Sequence, residues 1–321
     1  MAPRFFVTLP TRGEGSRGGW RPGPRPPAFV TDLRPGAYGP FDHLAQIGRA
    51  AEIATLHGVL APFDPEGEES LVVAAGLLRQ SRWLRAVAEF HPGAATPVYA
   101  AKVSASLQRF SGDRLDWRLA VDLDPATARA QGDFLEGADR YARADEFLTI
   151  AKGVWTEEGF TYEGRYFQVL AGGFEPPLSG RPFPRVHLSG TSAEALDLSA
   201  RHADVHVFTY ADDLGDAIAE LRRRAAGHGR VPEAALALPV LAREDDDEAW
   251  AAARRLPEDA AGAYPPGLIG SYRTVAERLR ELAGRGVSSF FLEVRPSIEE
   301  TYRLGEHLLP LLYEQETAHV R

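Results

Sequence analysis

The 321-residue chain contains no cysteine, which excludes disulfides, thiolate zinc sites, iron–sulfur clusters and a cysteine nucleophile. No apolar run approaches the ~20 residues that a membrane span needs. The start, MAPRFFVTLP, lacks the long apolar core and small-residue cleavage site of a signal peptide. Positive charge is not in excess either: 36 Lys plus Arg against 45 Asp plus Glu leave a net charge of -9, spread along the chain. Nucleic acid and anionic membrane are therefore poor partners. GxSxG, P-loop and HExxH are absent, so the common serine-hydrolase, P-loop nucleotide and zinc-protease signatures do not apply. We expect a mature, cytoplasmic protein whose partner is a small molecule.

What is present is a soluble composition, 44% hydrophobic and 10% aromatic, in a chain long enough to bury about three quarters of its unfolded surface. Without repeats, low-complexity tracts or linkers, residues 1–321 read as one domain. Arg4 to Pro10 (RFFVTLP) is short, aromatic and β-branched, and ends at proline, so it reads as a buried strand. Residues 11–40 hold seven Gly, six Pro and five Arg, which only irregular backbone accommodates. From Phe41 the pattern alternates. Strands are expected at 58–63, 83–90, 115–123, 185–190, 205–210, 235–242 and 287–294, each followed by a segment of helical periodicity. Eight strand–helix units imply parallel strands and a closed (β/α)8 TIM barrel, with an open doubly wound sheet as the alternative. Between two alternating runs, Glu163-Gly164 predicts a small β-hairpin insertion at 160–169, outside the main sheet.

In a barrel the site lies at the carboxyl ends of the strands. Ser189-Gly190-Thr191-Ser192 stands at one such end, before a helix. Small residues, hydroxyls and a helix N-terminus together suit a phosphate. Local sequence leaves a second reading open, because Thr191 to Glu194 has capping-box spacing. His202 and His206 are four apart, but a helix-to-strand change falls between them, so no metal site is expected. Asp122 and Asp124 could face one side as an acid/base pair, although Asp124-Pro125 reads better as a turn that starts the next segment. Asp245 to Glu248 reads as a solvated helix start.

Several longer stretches carry a resemblance. They include LPT-x-G-x-G at 9–15, FDHLAQIGRAAE at 41–52, GVLAP at 58–62, HPG at 91–93, DRYARADEFL at 139–148, YEGRYFQV at 162–169, SGTSAEA at 189–195, REDDDEAWAAA at 243–253 and EETYRLGEHLLPLL at 299–312. Across almost the whole chain these resemble the bacterial luciferase-like flavin-dependent monooxygenases, most closely the alkanesulfonate monooxygenase branch. The resemblance implies a TIM barrel that takes reduced FMN from a separate flavin reductase, reacts it with oxygen and oxygenates a small organic substrate. It also implies that Tyr141 and Ser189, Gly190, Thr191 and Ser192 hold the FMN phosphate, and that the chain works as a homo- or heterodimer.

The departures from that pattern fall on the reacting end of the site. The family's LPT-His-Gly reads Arg12-Gly13, and its cysteine aligns near Gly67. At the fourth strand end its Asn and Thr-Gly-Gly read Arg118 and Val121-Asp122-Leu123. Trp-Gly-Glu-Pro becomes Tyr210 to Asp213, Arg-x-His becomes Ala237 and Pro239, and Ser-Gly-Tyr becomes Glu293-Val294-Arg295. The closing-loop region is shortened to Pro257 to Pro266 and neighbours. Arg12, Arg118, Asp122 and Arg295 are thus the candidate catalytic or ligand-binding residues: the three arginines are new cations that could bind an acidic ligand, or fill the pocket by pairing with Asp122 and Glu293. The expected function is reduced-FMN-dependent oxygenation of a substrate other than a simple alkanesulfonate. The alternative is a degenerate member serving as the non-catalytic subunit of a heterodimer or as a flavin-binding protein.

Overall fold

A computed structural model describes residues 3–13, 39–176, 178–256 and 264–318. Eight parallel strands close a barrel in the order β1 (Arg4–Thr8), β12 (Val287–Glu293), β9 (Glu233–Pro239), β8 (Val205–Thr209), β7 (Arg185–Ser189), β4 (Leu115–Leu119), β3 (Arg85–Phe90) and β2 (Gly58–Ala61). These are the eight strands expected from sequence, in a (β/α)8 TIM barrel. The fourth is shorter than expected, ending at Leu119 before Val121 to Asp124. The seventh is broken by Val240, and its continuation β10 (Leu241–Arg243) pairs outside the barrel with β11 (Ile269–Ser271). Strands β5 (Phe160–Glu163) and β6 (Gln168–Gly172) form the expected antiparallel hairpin. Of the shortened closing region, 257–263 lies outside the described residues, as does 14–38 of the first long loop.

The outer layer comprises α1 (Pro40–Ile53), α2 (Ser70–Gln80), α3 (Pro97–Ser111), α4 (Pro125–Ala130), α5 (Ala138–Thr156), α6 (Ala193–His202), α7 (Leu214–Ala226), α8 (Asp246–Ala253), α9 (Tyr272–Gly284), α10 (Ser297–Arg303) and α11 (Leu309–Ala318). A single π-helical turn at Leu304–Leu308 joins the last two. Local chemistry sets their limits. In α3, Thr96 caps the Tyr99 N–H, Pro97 opens the first turn and Gly112 closes the helix in the left-handed region. No helix among the described residues is long and apolar enough to cross a membrane.

Alternation along each strand sends one set of side chains outward against the helices and the other into the barrel. Phe90, Phe147, Trp117, Phe183 and Trp155 form a chain of edge-on and tilted rings, each 5.0–6.1 Å from the next. This chain packs α5 on β3 and β4. Buried rings of this size contribute roughly 2–3 kcal/mol apiece, and the Trp117 indole N–H is satisfied by Ser104 at 2.8 Å. Strand register stacks the inward set in layers of four contributed by alternate strands. At the amino pole, Arg4 and Arg185 share Glu233, while Arg85 forks onto Asp116 at 2.9 and 2.5 Å. Apolar groups fill the middle, where Phe6 stacks on Phe291 at 4.9 Å. At the carboxyl pole the innermost floor is Leu60, Arg118, Val207 and Phe291, and the rim above it is Thr8, Glu89, Ser189 and Ala237.

Candidate functional site

The phosphate candidate forms where β7 passes into α6. Gly190 has φ +120°, and a Cβ there would lie 2.7 Å from the Ala195 Cβ and 3.6 Å from the Tyr141 hydroxyl. The position demands glycine because an L side chain would be strained and would fill the concavity. Tyr141 reaches the cradle from the first turns of α5 and is 7% exposed, yet its buried Oη makes no hydrogen bond of good geometry among the described residues. Burial pushes its phenol above the ordinary value, with Ser192 opposing the shift. Ser192 is the N-cap of α6, accepting from the Ala195 N–H at 3.1 Å. The cap is thus Ser192 with Ala195, not the Thr191–Glu194 box that the spacing allowed. Capping uses only one lone pair of the Ser192 oxygen, so this role and a ligand role are compatible. Ser189 is half-buried at the rim, and Thr191 and Ser192 are exposed.

His206 supports this turn from the far side of β8. Its Nδ1 lies 2.8 Å from the Ser199 Oγ of α6, and its Nε2 faces the Gly190 backbone without completing a hydrogen bond. Burial pulls its pKa down to about 4, so the ring is neutral. His202 instead pairs with Asp145 at 2.7 Å; the two histidines do not converge, and no metal-binding group occurs among the described residues.

The four catalytic candidates do not converge as a set. Arg12 is exposed and forks onto Asp64 at 2.7–3.1 Å, with Glu66 at 3.0 Å; it pairs with neither Asp122 nor Glu293. Asp122 is exposed, 3.6 Å from an Arg140 that also donates to the Leu123 and Leu135 carbonyls. Asp124 caps α4 through the Ala126 and Thr127 N–H groups, which removes it from any acid/base pair. Arg295 is exposed beside Glu293 on the β12 rim. Arg118 alone lies inside the barrel, its Nε 2.9 Å from Glu89, and Glu89 also accepts the Phe63 N–H at 3.1 Å. Asp245 caps α8 through the Glu248 N–H, the helix-start role expected of it.

Two features of this pole were not singled out from sequence. Glu89 is one; its inward position follows from strand alternation, so the sequence held the signal. The other is a buried cluster that ties His91, itself a strand-end position expected from sequence, to Asp133 and Arg143. Arg143 forks onto Asp133 at 2.9 and 2.7 Å, while His91 donates Nδ1–H to the Ala120 carbonyl and places Nε2 2.9 Å from Asp133. Burial pushes the Asp133 carboxyl up, but hydrogen bonds from Arg143 and the Leu135 N–H hold it down at about 2. This cluster locks the β3 and β4 exits and α5 together. A cavity of about 280 Å³, bounded by Asp42, Arg49, Glu52 and Leu84 among others, opens between α1 and α2 outside the barrel, away from the strand ends.

The barrel with its β7–α6 cradle places the chain in a recognisable class. Residues 27–266 match the family model described as luciferase-like monooxygenase, and the chain belongs to that family. Among solved structures it is similar to a riboflavin lyase determined with modified FMN and riboflavin, at 18% identity and a TM-score of 0.80, covering 98% of this chain and 92% of the other. EDTA monooxygenase from Chelativorans sp. BNC1 matches at 17% identity and TM-score 0.80, over 98% and 94%. A coenzyme F420-dependent tetrahydromethanopterin reductase from Methanopyrus kandleri matches at 13% and 0.75, over 97% and 99%. At such identities these likenesses speak to the fold.

Proposed function

We propose that this chain is a flavin-dependent monooxygenase that takes reduced FMN from a separate reductase and oxygenates a small organic substrate other than a simple alkanesulfonate. The observation that carries the reading is the orphaned Tyr141 hydroxyl beside the glycine-only turn at Gly190. A buried hydroxyl without a partner costs about 1–3 kcal/mol, and a phosphate oxygen in the cradle removes that cost. Ser189, Thr191 and Ser192, with the N–H groups that open α6, supply further donors, so the residues present fit the phosphate of a flavin mononucleotide. Bound reduced flavin supplies the oxygen chemistry; the protein positions it, holds the substrate over the barrel floor and excludes water.

The change of substrate class is supported by the rim. Ala237 and Pro239 offer no side-chain donor to a sulfonate, and Arg12 is already engaged by two carboxylates. The same want of side-chain donors at Ala237 and Pro239 favours a second reading, a non-catalytic subunit paired with an intact relative. Anaerobic titration with reduced FMN, followed by mixing with oxygenated buffer, separates the two. The enzyme reading expects binding that weakens about tenfold or more in Tyr141→Phe/Ser192→Ala, the loss of roughly two hydrogen bonds to a charged group. It also expects oxygen uptake to respond to substrate candidates. FMN affinity unchanged by the double variant would overturn the cradle assignment, and flavin oxidation indifferent to every substrate would favour the non-catalytic subunit.

A further inference from the structure

One end of the His206 ring is committed and the other is not. The residue is fully buried on β8, in register with Leu188 of β7, and its Nδ1 meets the Ser199 hydroxyl of α6. A single imidazole thus touches both the strand and the helix that bound the Ser189 to Ser192 turn, with Phe208 tilted against it at 4.3 Å. Its Nε2 is buried without a hydrogen bond of good geometry and faces the backbone of Gly190, the one position of the turn that demands glycine. Gly190 favours the protonated ring, so the group it presents is its carbonyl oxygen. A buried polar atom left short of a full hydrogen bond is rare and calls for a reason.

Hydrogen-bonding chemistry assigns the proton. A carbonyl oxygen only accepts, so the neutral ring carries its hydrogen on Nε2, and Nδ1 accepts from the Ser199 hydroxyl. The C=O and N–H of one trans peptide point in opposite directions, so a Gly190 carbonyl held toward β8 turns the Thr191 N–H away from it. That N–H has no partner among the described residues. An anion taken by the N–H polarises the peptide and makes its carbonyl a better acceptor. We infer that His206 is the positioning residue of the cradle: its Nε2–H, closing on the Gly190 carbonyl, fixes the Gly190–Thr191 peptide with the Thr191 N–H directed at the phosphate of a bound ligand. Phosphate binding and the buried hydrogen bond then strengthen one another. This rests on the reading of Tyr141 and Ser189 to Ser192 as the flavin phosphate site.

The test titrates the full chain with oxidised FMN and with riboflavin, which share the ring system and differ by the phosphate, and reads flavin fluorescence. His206→Gln puts an amide N–H near the place of Nε2, whereas His206→Asn reaches only as far as Nδ1 and keeps the Ser199 contact. The FMN dissociation constant should rise about fivefold or more in His206→Asn, the loss of one hydrogen bond, and return toward the wild-type value in His206→Gln, with riboflavin affinity the same in all three. A histidine that only packs strand against helix would give the reverse order or weaken both flavins alike, and either result overturns the inference. Nitrogen NMR of the histidine-labelled wild-type chain needs no variant: the His206 Nε2–H proton should move downfield with FMN and not with riboflavin, and an unprotonated Nε2 would overturn the assignment. If FMN outbinds riboflavin but His206→Asn matches wild type, the role of His206 fails and the phosphate site stands. If wild type shows no preference for FMN over riboflavin, the phosphate reading fails and the role of His206 falls with it.

Discussion

Arg12 and Arg118 were equivalent in sequence, two arginines at strand ends, and the structure gives them different work. Arg12 sits past its strand, where Asp64 and Glu66 reach it across the next loop; exposed pairs of this kind contribute little to stability. Arg118 sits within its strand and faces in, and among the described residues its charge is answered by Glu89. The other decisive single residue is Gly190. Gly190→Ala forces an L residue into φ +120° and drives a methyl onto the Ala195 Cβ, which should cost about 1–3 kcal/mol and abolish the Tyr141-dependent part of FMN affinity. Urea denaturation and an FMN titration measure the two effects; retention of both wild-type values would show that the turn tolerates a side chain and is no cradle.

At the scale of elements, α5 carries Tyr141 to the cradle and is fixed from both sides. Its ring chain with Trp117 and Phe183 is apolar, while Arg143 joins Asp133 and His91 in a buried polar lock. Below it, the Glu146 carboxylate accepts the Arg165, Tyr166 and Phe167 N–H groups and holds the hairpin turn. Asp133→Ala leaves the Arg143 guanidinium buried and unanswered, a change worth about 3–5 kcal/mol, whereas Asp133→Asn keeps the shape and part of the hydrogen bonding. A drop in the urea midpoint that is larger for Ala than for Asn, with weaker FMN binding as α5 loosens, is the expected result. Equal midpoints for both variants and wild type would mean that the lock does not hold α5. The helix itself was legible in RYARADEFLTIAKGVW, but its partners were not, because Asp133 and His91 are separated from Arg143 by 10 and 52 positions and no periodicity joins them.

For the whole molecule, buried titratable groups set an acid limit. His206 is held neutral down to about 4, and burial also lowers His187. Below pH 6.5 the unfolded chain therefore binds protons that the folded chain refuses, and stability falls as pH drops from 6.5 toward 4. Asp116, pushed up by burial but held down at about 2 by hydrogen bonds from Arg85 and by the His187 ring nearby, and Asp133, also at about 2, extend the loss. The unfolded carboxyls protonate first, so stability falls again from 3.8 toward 2. Urea unfolding across pH 7 to 3 should show a monotonic decline, with the upper limb flattened in His206→Asn. An upper limb of wild-type slope in that variant would assign it to another group.

The barrel itself was determined by sequence alone, because strand–helix alternation is a local property: each run of β-branched or aromatic residues, each helical stripe and each glycine or proline stop acts within about fifteen residues. The hairpin at Glu163-Gly164 and the glycine-bearing turn at Ser189 to Ser192 were legible for the same reason, and the family resemblance pointed to Tyr141. What only the tertiary structure decided is which charges answer one another. Arg12 went to Asp64, His202 to Asp145 and Arg118 to Glu89, leaving the Tyr141 hydroxyl without a hydrogen-bond partner among the described residues. Those outcomes follow from strand register and closure of the barrel, which bring residues tens of positions apart within 3 Å, and electrostatics at that range carries no trace in the order of the chain.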